Sequence, residues 1–168
     1  GPKDILQYVT IASTGNSVDF GGDLPVAVNN MYGISSSTRG VFNAGSSDSN
    51  ALSYITIQTT GVDASDFGDT PYISRANQCA GGNSVRGIAA GGGTPSPGVN
   101  SMCYFTFATI GNAADFGDLA TVSSNFGGCS SATRGVFGGG DPGINVIEYV
   151  TIATTGNASD SGDLTAAR

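Results

Sequence analysis

Several residue types that dominate catalytic and nucleic-acid sites are missing or scarce in this sequence of 168 residues. Histidine is absent and Glu148 is the only glutamate, so the side chain most used for acid–base chemistry near neutral pH is missing. The sequence has only six Lys and Arg residues and 13 Asp and Glu residues, which gives a net charge of −7. Such a surface suits neither nucleic acid nor an anionic membrane. We therefore expect a non-catalytic protein whose partners include no nucleic acid and no membrane.

Cysteine and long apolar runs are also scarce. No run approaches the ~18 apolar residues of a membrane span. The three cysteines, at 79, 103 and 129, have no CxxC spacing, so the sequence indicates neither a disulfide framework nor a zinc site. We expect Cys79, Cys103 and Cys129 to be small buried residues, and we expect no cofactor.

What the sequence does contain is one segment in four copies. The copies begin at Tyr8, Tyr54, Tyr104 and Tyr149, which are 46, 50 and 45 residues apart, and each reads approximately Tyr-Val-Thr-Ile-Ala-Thr-Thr-Gly-Asn. A period near 45 residues with β-rich content is typical of stacked supersecondary units such as propeller blades. These segments are rich in the β-branched and aromatic residues that favour strands, and no helical periodicity appears. The sequence therefore predicts an all-β fold.

Each repeat divides into four strand-like pieces. The first leads from an Asn to an Arg nine residues later, the second is a short apolar strand stopped by glycines, the third is the Tyr segment, and the fourth surrounds an Asp-Phe-Gly-Asp turn. Residues 1–168 form one repeat domain on this interpretation, with a half-blade over 5–24 and blades over roughly 25–69, 70–118 and 119–163. The tyrosines should occupy equivalent places, and Val9, Ile11, Val150 and Ile152 should lie between sheets.

This order of pieces resembles the kelch repeat. The resemblance rests on the run from Gly135 to Gly139, on Tyr149 and on Arg168, with parallels at Gly91-Gly92, Tyr104, Tyr54 and Arg75. It implies four-stranded antiparallel blades around a central axis, and interaction more often than catalysis. The Gly-, Ser- and Thr-rich copies are also similar to repeats in phage tail fibres, other phage appendages and bacterial repeat proteins, for which a virion or an extracellular surface would be a suitable location.

Three and a half blades are fewer than the 4–8 of a closed propeller. The ring must therefore be completed by oligomerisation or by a longer native chain. Two copies would supply seven blades, so we expect the chain to associate with itself as a homo-oligomer, with a dimer favoured.

Two sets of recurring polar residues each allow a functional and a structural interpretation. The aspartates could hold a cation, but they lack the density of a calcium loop, which favours turns and no metal. The arginines could line a ligand channel, but their identity in every blade favours structural bonds. The residues with predicted structural roles are the four tyrosines together with Arg39, Arg86, Arg134, Asp19, Asp66, Asp115 and Asp160.

The connections that follow the glycines differ most between copies. Loops on a rigid scaffold often carry binding residues, although drift at a surface would also explain their divergence. The candidate ligand-binding residues there are Ser46, Ser47, Asp48, Thr94, Ser96, Asp141 and Asn145. The leading hypothesis is a structural or interaction module that binds a protein or glycan through these loops, and the alternative is a glycosidase-type hydrolase on a propeller scaffold.

Overall fold

The computed structural model describes residues 3–43, 45, 49–74, 79–92 and 98–168, and for residues 73–74 and 79–80 it describes the backbone alone. Within these residues the fold is all-β, with fourteen strands and no helix, so none that could span a membrane. The first sheet has two strands, β1 (Lys3–Tyr8) and β2 (Val18–Val28). Each of the next three sheets has four strands, all paired antiparallel to their neighbours.

The strands of each sheet follow one another in chain order. The second sheet contains β3 (Gly33–Ser35), β4 (Arg39–Asn43), β5 (Ser49–Thr56) and β6 (Ser65–Ser74). The third contains β7 (Cys79–Gly82), β8 (Arg86–Ala90), β9 (Ser101–Thr106) and β10 (Ala114–Asp118). The fourth contains β11 (Gly127–Ser130), β12 (Arg134–Gly138), β13 (Val146–Thr151) and β14 (Ser159–Asp163).

The four tyrosine segments have the same register in every sheet. Each tyrosine pairs with the residue that opens the following strand: Tyr8 with Val18, Tyr54 with Ser65, Tyr104 with Ala114 and Tyr149 with Ser159. A bulge interrupts each of these pairs of strands within the Asp-Phe-Gly-Asp segment or its counterpart. In the third sheet, for example, Asp115 pairs with Cys103 and Gly117 with Met102, which leaves Phe116 as the extra residue. A bulge redirects a side chain locally, and here that side chain is buried against the next sheet.

Three apolar clusters lie between successive sheets. Leu6, Phe20 and Leu24 pack with Ile55 and Phe42 between the first and second sheets. The other two clusters contain more buried side chains. Between the second and third sheets these include Val41, Leu52, Phe67, Ala89 and Cys103. Between the third and fourth sheets they include Ile88, Met102, Phe116 and Ile152. Alternation along each strand sends neighbouring residues to opposite clusters, so each central sheet contributes to two of them.

The predicted burial of the Val and Ile positions is confirmed in the fourth sheet and wrong in the first. Val150 and Ile152 are 3% and 0% exposed, whereas Val9 and Ile11 are 57% and 98% exposed. The four residues face the preceding sheet, and no sheet among the described residues lies before the first one. The same geometry corrects the prediction for Cys129, which is exposed because its β12 partner Val136 faces the open side of the fourth sheet. Cys103 is buried as predicted, and the side chain of Cys79 lies outside the described residues.

Candidate functional site

The strongest recurring arrangement of polar groups lies at the junctions between sheets. In each junction a glycine amide from the connection after a third strand donates to a carbonyl of the preceding sheet: Gly61 to Phe20 at 2.8 Å, Gly111 to Phe67 at 2.8 Å and Gly156 to Phe116 at 2.7 Å. A second backbone bond lies beside the first, from Ala64 to Asp23 at 2.9 Å, from Ala113 to Asp69 at 2.8 Å and from Ala158 to Asp118 at 2.8 Å.

A side chain completes each junction. The backbone amide of the second aspartate in the turn donates to an Asp or Asn side-chain oxygen of the next sheet. The three bonds join Asp23 to Asp63, Asp69 to Asn112 and Asp118 to Asn157, each at 3.0 Å. The Gly-Asn pair of the tyrosine segment therefore holds sheets together at two junctions, and Gly61 with Asp63 does so at the first. Sequence reasoning missed this role, although the recurrence of the pair was its signal.

The first aspartate bonds locally in three of the four turns. The carboxylates of Asp19, Asp66 and Asp160 accept from the amides of Gly21, Gly68 and Gly162 at 2.8, 3.1 and 2.8 Å. This is the two-residue Asx turn, in which a side chain takes the place of a backbone acceptor. Asp115 is exposed on β10. Across the described part of the chain, no group of three or more His, Cys, Asp or Glu side chains is close enough to hold a metal ion.

The recurring arginines begin the second strand of each four-stranded sheet and stack on the tyrosine of the adjacent strand. The guanidinium carbon lies 4.9 Å from the ring centre for Arg39 and Tyr54, 4.7 Å for Arg86 and Tyr104, and 4.4 Å for Arg134 and Tyr149.

Two of these arginines also reach the next sheet. Arg39 donates to the carbonyl of Phe107 at 2.6 Å, and Arg86 donates to the carbonyls of Ile152 and Ala153 at 3.2 and 2.9 Å. Arg134 belongs to the last sheet and has no such acceptor among the described residues. Its guanidinium is therefore left with the stacking contact and with solvent.

Glu148 has a role that the sequence analysis did not predict. Its side chain is buried, at 4% exposure, and both carboxylate oxygens accept backbone amides: Ala120 at 2.8 Å and Thr121 at 3.0 Å. These amides belong to the crossover between the third and fourth sheets. The signal was a single glutamate inside an apolar strand, at a position occupied by Ser53 and Cys103 in the preceding copies.

The divergent connections lie at the opposite end of the sheets from the junctions. In an antiparallel meander, the connection between the second and third strands is at one end, and the connection between the third and fourth is at the other. We call the first the loop end, and its described residues are 45, 91–92, 98–100 and 139–145 with the crossovers 29–32 and 119–126. The second is the junction end.

Backbone bonds fix the described part of the loop end. The crossover residue Ser123 accepts from the amide of Gly92 at 3.1 Å, and its hydroxyl donates to the carbonyl of Gly139 at 3.2 Å. Ser124 and Asp141 exchange two backbone bonds, at 2.7 and 3.3 Å. Two divergent connections and the crossover between them therefore form one continuous surface.

The predicted ligand-binding residues divide into two groups. Asp141 and Asn145 are exposed on this surface, and the carbonyl of Asn145 accepts from the amide of Leu164 at 2.6 Å. Ser46, Ser47, Asp48, Thr94 and Ser96 lie outside the described residues, as does Arg75.

No family model matches the sequence, and none of the curated proteins compared with it matches.

Proposed function

We propose that the chain is a non-catalytic, kelch-like β-propeller module that binds a protein or glycan through its loop end, in a setting such as a phage appendage. One observation carries the proposal. The polar residues that recur in the copies bind backbone groups within turns and between sheets, whereas the connections that differ between copies share the opposite end. The recurring polar residues thus stabilise the scaffold, and the divergent connections are available to bind a ligand.

The blade-like arrangement supports the propeller part of this proposal. The three four-stranded sheets pack face to face in chain order, and their first strands β3, β7 and β11 are neighbours. First strands at the centre and fourth strands outside is the arrangement that blades have around an axis.

A glycan is the ligand class to test first. The exposed residues described at the loop end are mainly small and polar, with Asp141 as a charged side chain and Asn145 as an amide. Such residues hydrogen-bond sugar hydroxyl groups, and the overall charge of −7 disfavours an acidic partner.

The hydrolase alternative receives less support from the same contacts. A glycosidase needs two carboxyl groups at a set separation across the scissile bond. Both oxygens of Glu148 accept backbone amides, and Asp19, Asp66 and Asp160 bind their own turns. Burial also raises the pKa of the Cys103 thiol to about 11, which keeps it protonated and unsuited to act as a nucleophile.

A glycan microarray with matched variants tests the proposal. We expect the chain to bind a subset of glycans, and the double variant Asp141→Ala, Asn145→Ala to lose about tenfold or more of that binding, equivalent to one or two lost hydrogen bonds. Thr155→Ala, at an exposed position on the junction end, is the control and should bind normally.

If no glycan binds, an array of immobilised proteins is probed with the same variants. Equal binding by all variants would contradict the loop end as the binding site. Cleavage of chromogenic glycosides, lost in Asp141→Asn, would favour the hydrolase instead.

A further inference from the structure

Each end of the stack of sheets carries one half of the contact that joins the sheets inside the chain. Every internal junction has a preceding side, which supplies carbonyls and a bulge, and a following side, which supplies a glycine amide, an Asn or Asp side chain and apolar residues. The outer side of the fourth sheet has the features of a preceding side. The outer side of the first sheet has those of a following side.

On the fourth sheet, two features correspond to contacts that are filled elsewhere. Arg134 stacks on Tyr149 but lacks, among the described residues, the carbonyl acceptor that Arg39 and Arg86 find on the next sheet. Ile147 and Val136 are partly exposed there, whereas their counterparts in the second and third sheets, Leu52, Met102, Val41 and Ile88, are fully buried.

Glycine in the fourth-strand turn gives a third indication. A Cβ added to Gly68 or Gly117 would lie 2.5 Å from backbone atoms of the next sheet's connection, so glycine is required for that close approach. Gly162 has the same backbone conformation, with φ of 123°, but nothing within 4 Å of its Cβ direction. The fourth sheet therefore has the space for an approaching backbone and no described residue that occupies it.

On the first sheet, the following side is complete and uncovered. Val9 and Ile11 are 57% and 98% exposed, while the third-sheet residues at the same positions, Phe105 and Phe107, are both 3% exposed. Gly15 and Asn16 correspond to the Gly-Asn pairs that bind the preceding sheet at 111–112 and 156–157, and both are exposed. An isoleucine as exposed as Ile11 is costly in water unless something covers it.

We propose that the first sheet of a second copy of this chain docks on the fourth sheet through the same contact that joins sheets internally. By register, the amide of Gly15 in that copy donates to the carbonyl of Ser161, and the side chain of Asn16 accepts from the amide of Asp163. Arg134 donates to the carbonyls of Ile11 and Ala12, and the apolar pair Val9 and Ile11 covers Ile147 and Tyr149. The first sheet supplies these groups with its two strands, because each of them lies on a third strand or the connection after it. Among its described residues it lacks the first-strand hairpin, which at the last internal junction accepts from the amide of Gly82 through Ser130 and from the side chain of Asn83 through Ala132. The contact between copies is therefore smaller than an internal one.

A second departure from the internal junctions lies at Ser161. Ser161 stands where Phe20, Phe67 and Phe116 insert a ring between sheets, and those rings are 3%, 0% and 2% exposed. The smaller side chain leaves apolar volume unfilled, so the contact between copies is weaker than an internal junction and reversible. Because the two docking sides differ, the contact is heterologous, and it extends into a filament unless its rotation closes a ring. Two copies closing at both ends would contain seven sheets' worth of strands.

This inference concerns the ends of the stack and holds whatever the loop end binds. It is tested by sedimentation velocity over a range of protein concentrations from low to high micromolar. We expect reversible association that Ile11→Asp abolishes, since it places a charge where the contact buries an apolar side chain. Ile110→Asp is the matched control. It lies on a connection of the third sheet, is 52% exposed, and has threonine at the equivalent positions 14, 60 and 155, so association should be unchanged.

A gain-of-function variant sharpens the test. Ser161→Phe restores the ring found at the internal junctions, and we expect it to lower the dissociation constant by about tenfold or more. All three positions are exposed, so the variants should fold, which circular dichroism checks. A species of twice the mass supports a closed pair, and a ladder of larger species supports a filament; both support the contact. A chain that stays at 16.7 kDa at the highest concentration overturns the proposal, as does equal loss in Ile11→Asp and Ile110→Asp.

Discussion

At the scale of single residues, one arginine side chain connects two strands and two sheets. The guanidinium of Arg86 covers the ring of Tyr104 on the adjacent strand and donates to two carbonyls at the end of the next sheet's tyrosine segment. Lysine could not reproduce this set, because a planar group with several donors is needed to stack and to bond at the edge simultaneously. The position of the arginine at the start of the second strand places it within reach of both.

Comparing alanine variants of Arg86 and Arg134 separates the energetic contribution of stacking from that of the bonds between sheets. We expect Arg86→Ala to lower the free energy of unfolding by about 1–3 kcal/mol, since it removes stacking and leaves carbonyls without a charged donor. Arg134→Ala removes stacking alone and should cost about 0.5–1 kcal/mol at this exposed site. Urea unfolding at submicromolar concentration, below the range of association, measures both. Equal costs would show that the bonds to Ile152 and Ala153 contribute nothing measurable.

At the scale of strands and connections, the bulged fourth strand explains why the turn reads Asp-Phe-Gly-Asp. Asp66 closes the turn onto the amide of Gly68, the bulge directs Phe67 into the next cluster, and Gly68 admits the neighbouring connection. The ring of Phe67 meets that of Phe105 on the next sheet in an edge-to-face contact, with centres 5.3 Å apart. Each residue of the turn therefore has a separate function, and the last one presents its amide to Asn112.

Strands and turn residues were accessible from the sequence, but contacts between repeats were not. Alternation of apolar residues and recurrent Gly and Asp specify strands and turns locally, and the all-β prediction is confirmed. Burial depends on whether another sheet is present, which identical repeats cannot reveal: Val9 and Val150 occupy equivalent positions with opposite exposure. The bond from Asp69 to Asn112 spans 43 residues, so no local pattern identifies it.

The bonds from Glu148 to the crossover occur in the fourth sheet and have no counterpart among the described residues at Ser53 or Cys103. We expect Glu148→Gln to destabilise the chain by about 1–3 kcal/mol, because the amide nitrogen of glutamine would face one of the two backbone donors, Ala120 or Thr121. Asp141→Asn makes the same chemical change at an exposed site and should lie within about 0.5 kcal/mol of the parent chain. Thermal and urea unfolding compare the two. A Glu148→Gln chain as stable as Asp141→Asn would mean that the crossover does not depend on this carboxylate.

At the scale of the whole molecule, the exposed fraction of one side chain in each repeat shows how completely the preceding sheet covers it. Three residues after each repeat tyrosine, the exposure is 98% for Ile11, 39% for Ile57, 3% for Phe107 and 0% for Ile152. No described sheet precedes Ile11. Ile57 follows the two-stranded first sheet, in which no counterpart of the arginine-bearing second strand is described. Phe107 and Ile152 each follow a complete sheet. The stability of each sheet thus depends mainly on its neighbours, as in other repeat proteins.

That dependence predicts a gradient of amide hydrogen exchange along the chain. Strands β8 and β9 belong to the third sheet, which is packed between two four-stranded sheets, and four of the five residues of β8 are buried. Every residue of β14 is exposed, and the first sheet is covered on one side only. Opening an end sheet breaks one junction, whereas opening the second or the third breaks two. Only the third, among the described sheets, lies between two four-stranded sheets, so its amides should be the slowest to exchange. We expect the amides of β1 and β14 to exchange at least about tenfold faster than those of β9, the ratio for a difference of about 1.4 kcal/mol in opening free energy.

Hydrogen exchange followed by mass spectrometry at submicromolar concentration, with Ile11→Asp as the monomeric reference, measures these rates. Uniform protection from β1 to β14 would mean that the sheets open as a single unit and that the junctions do not act independently.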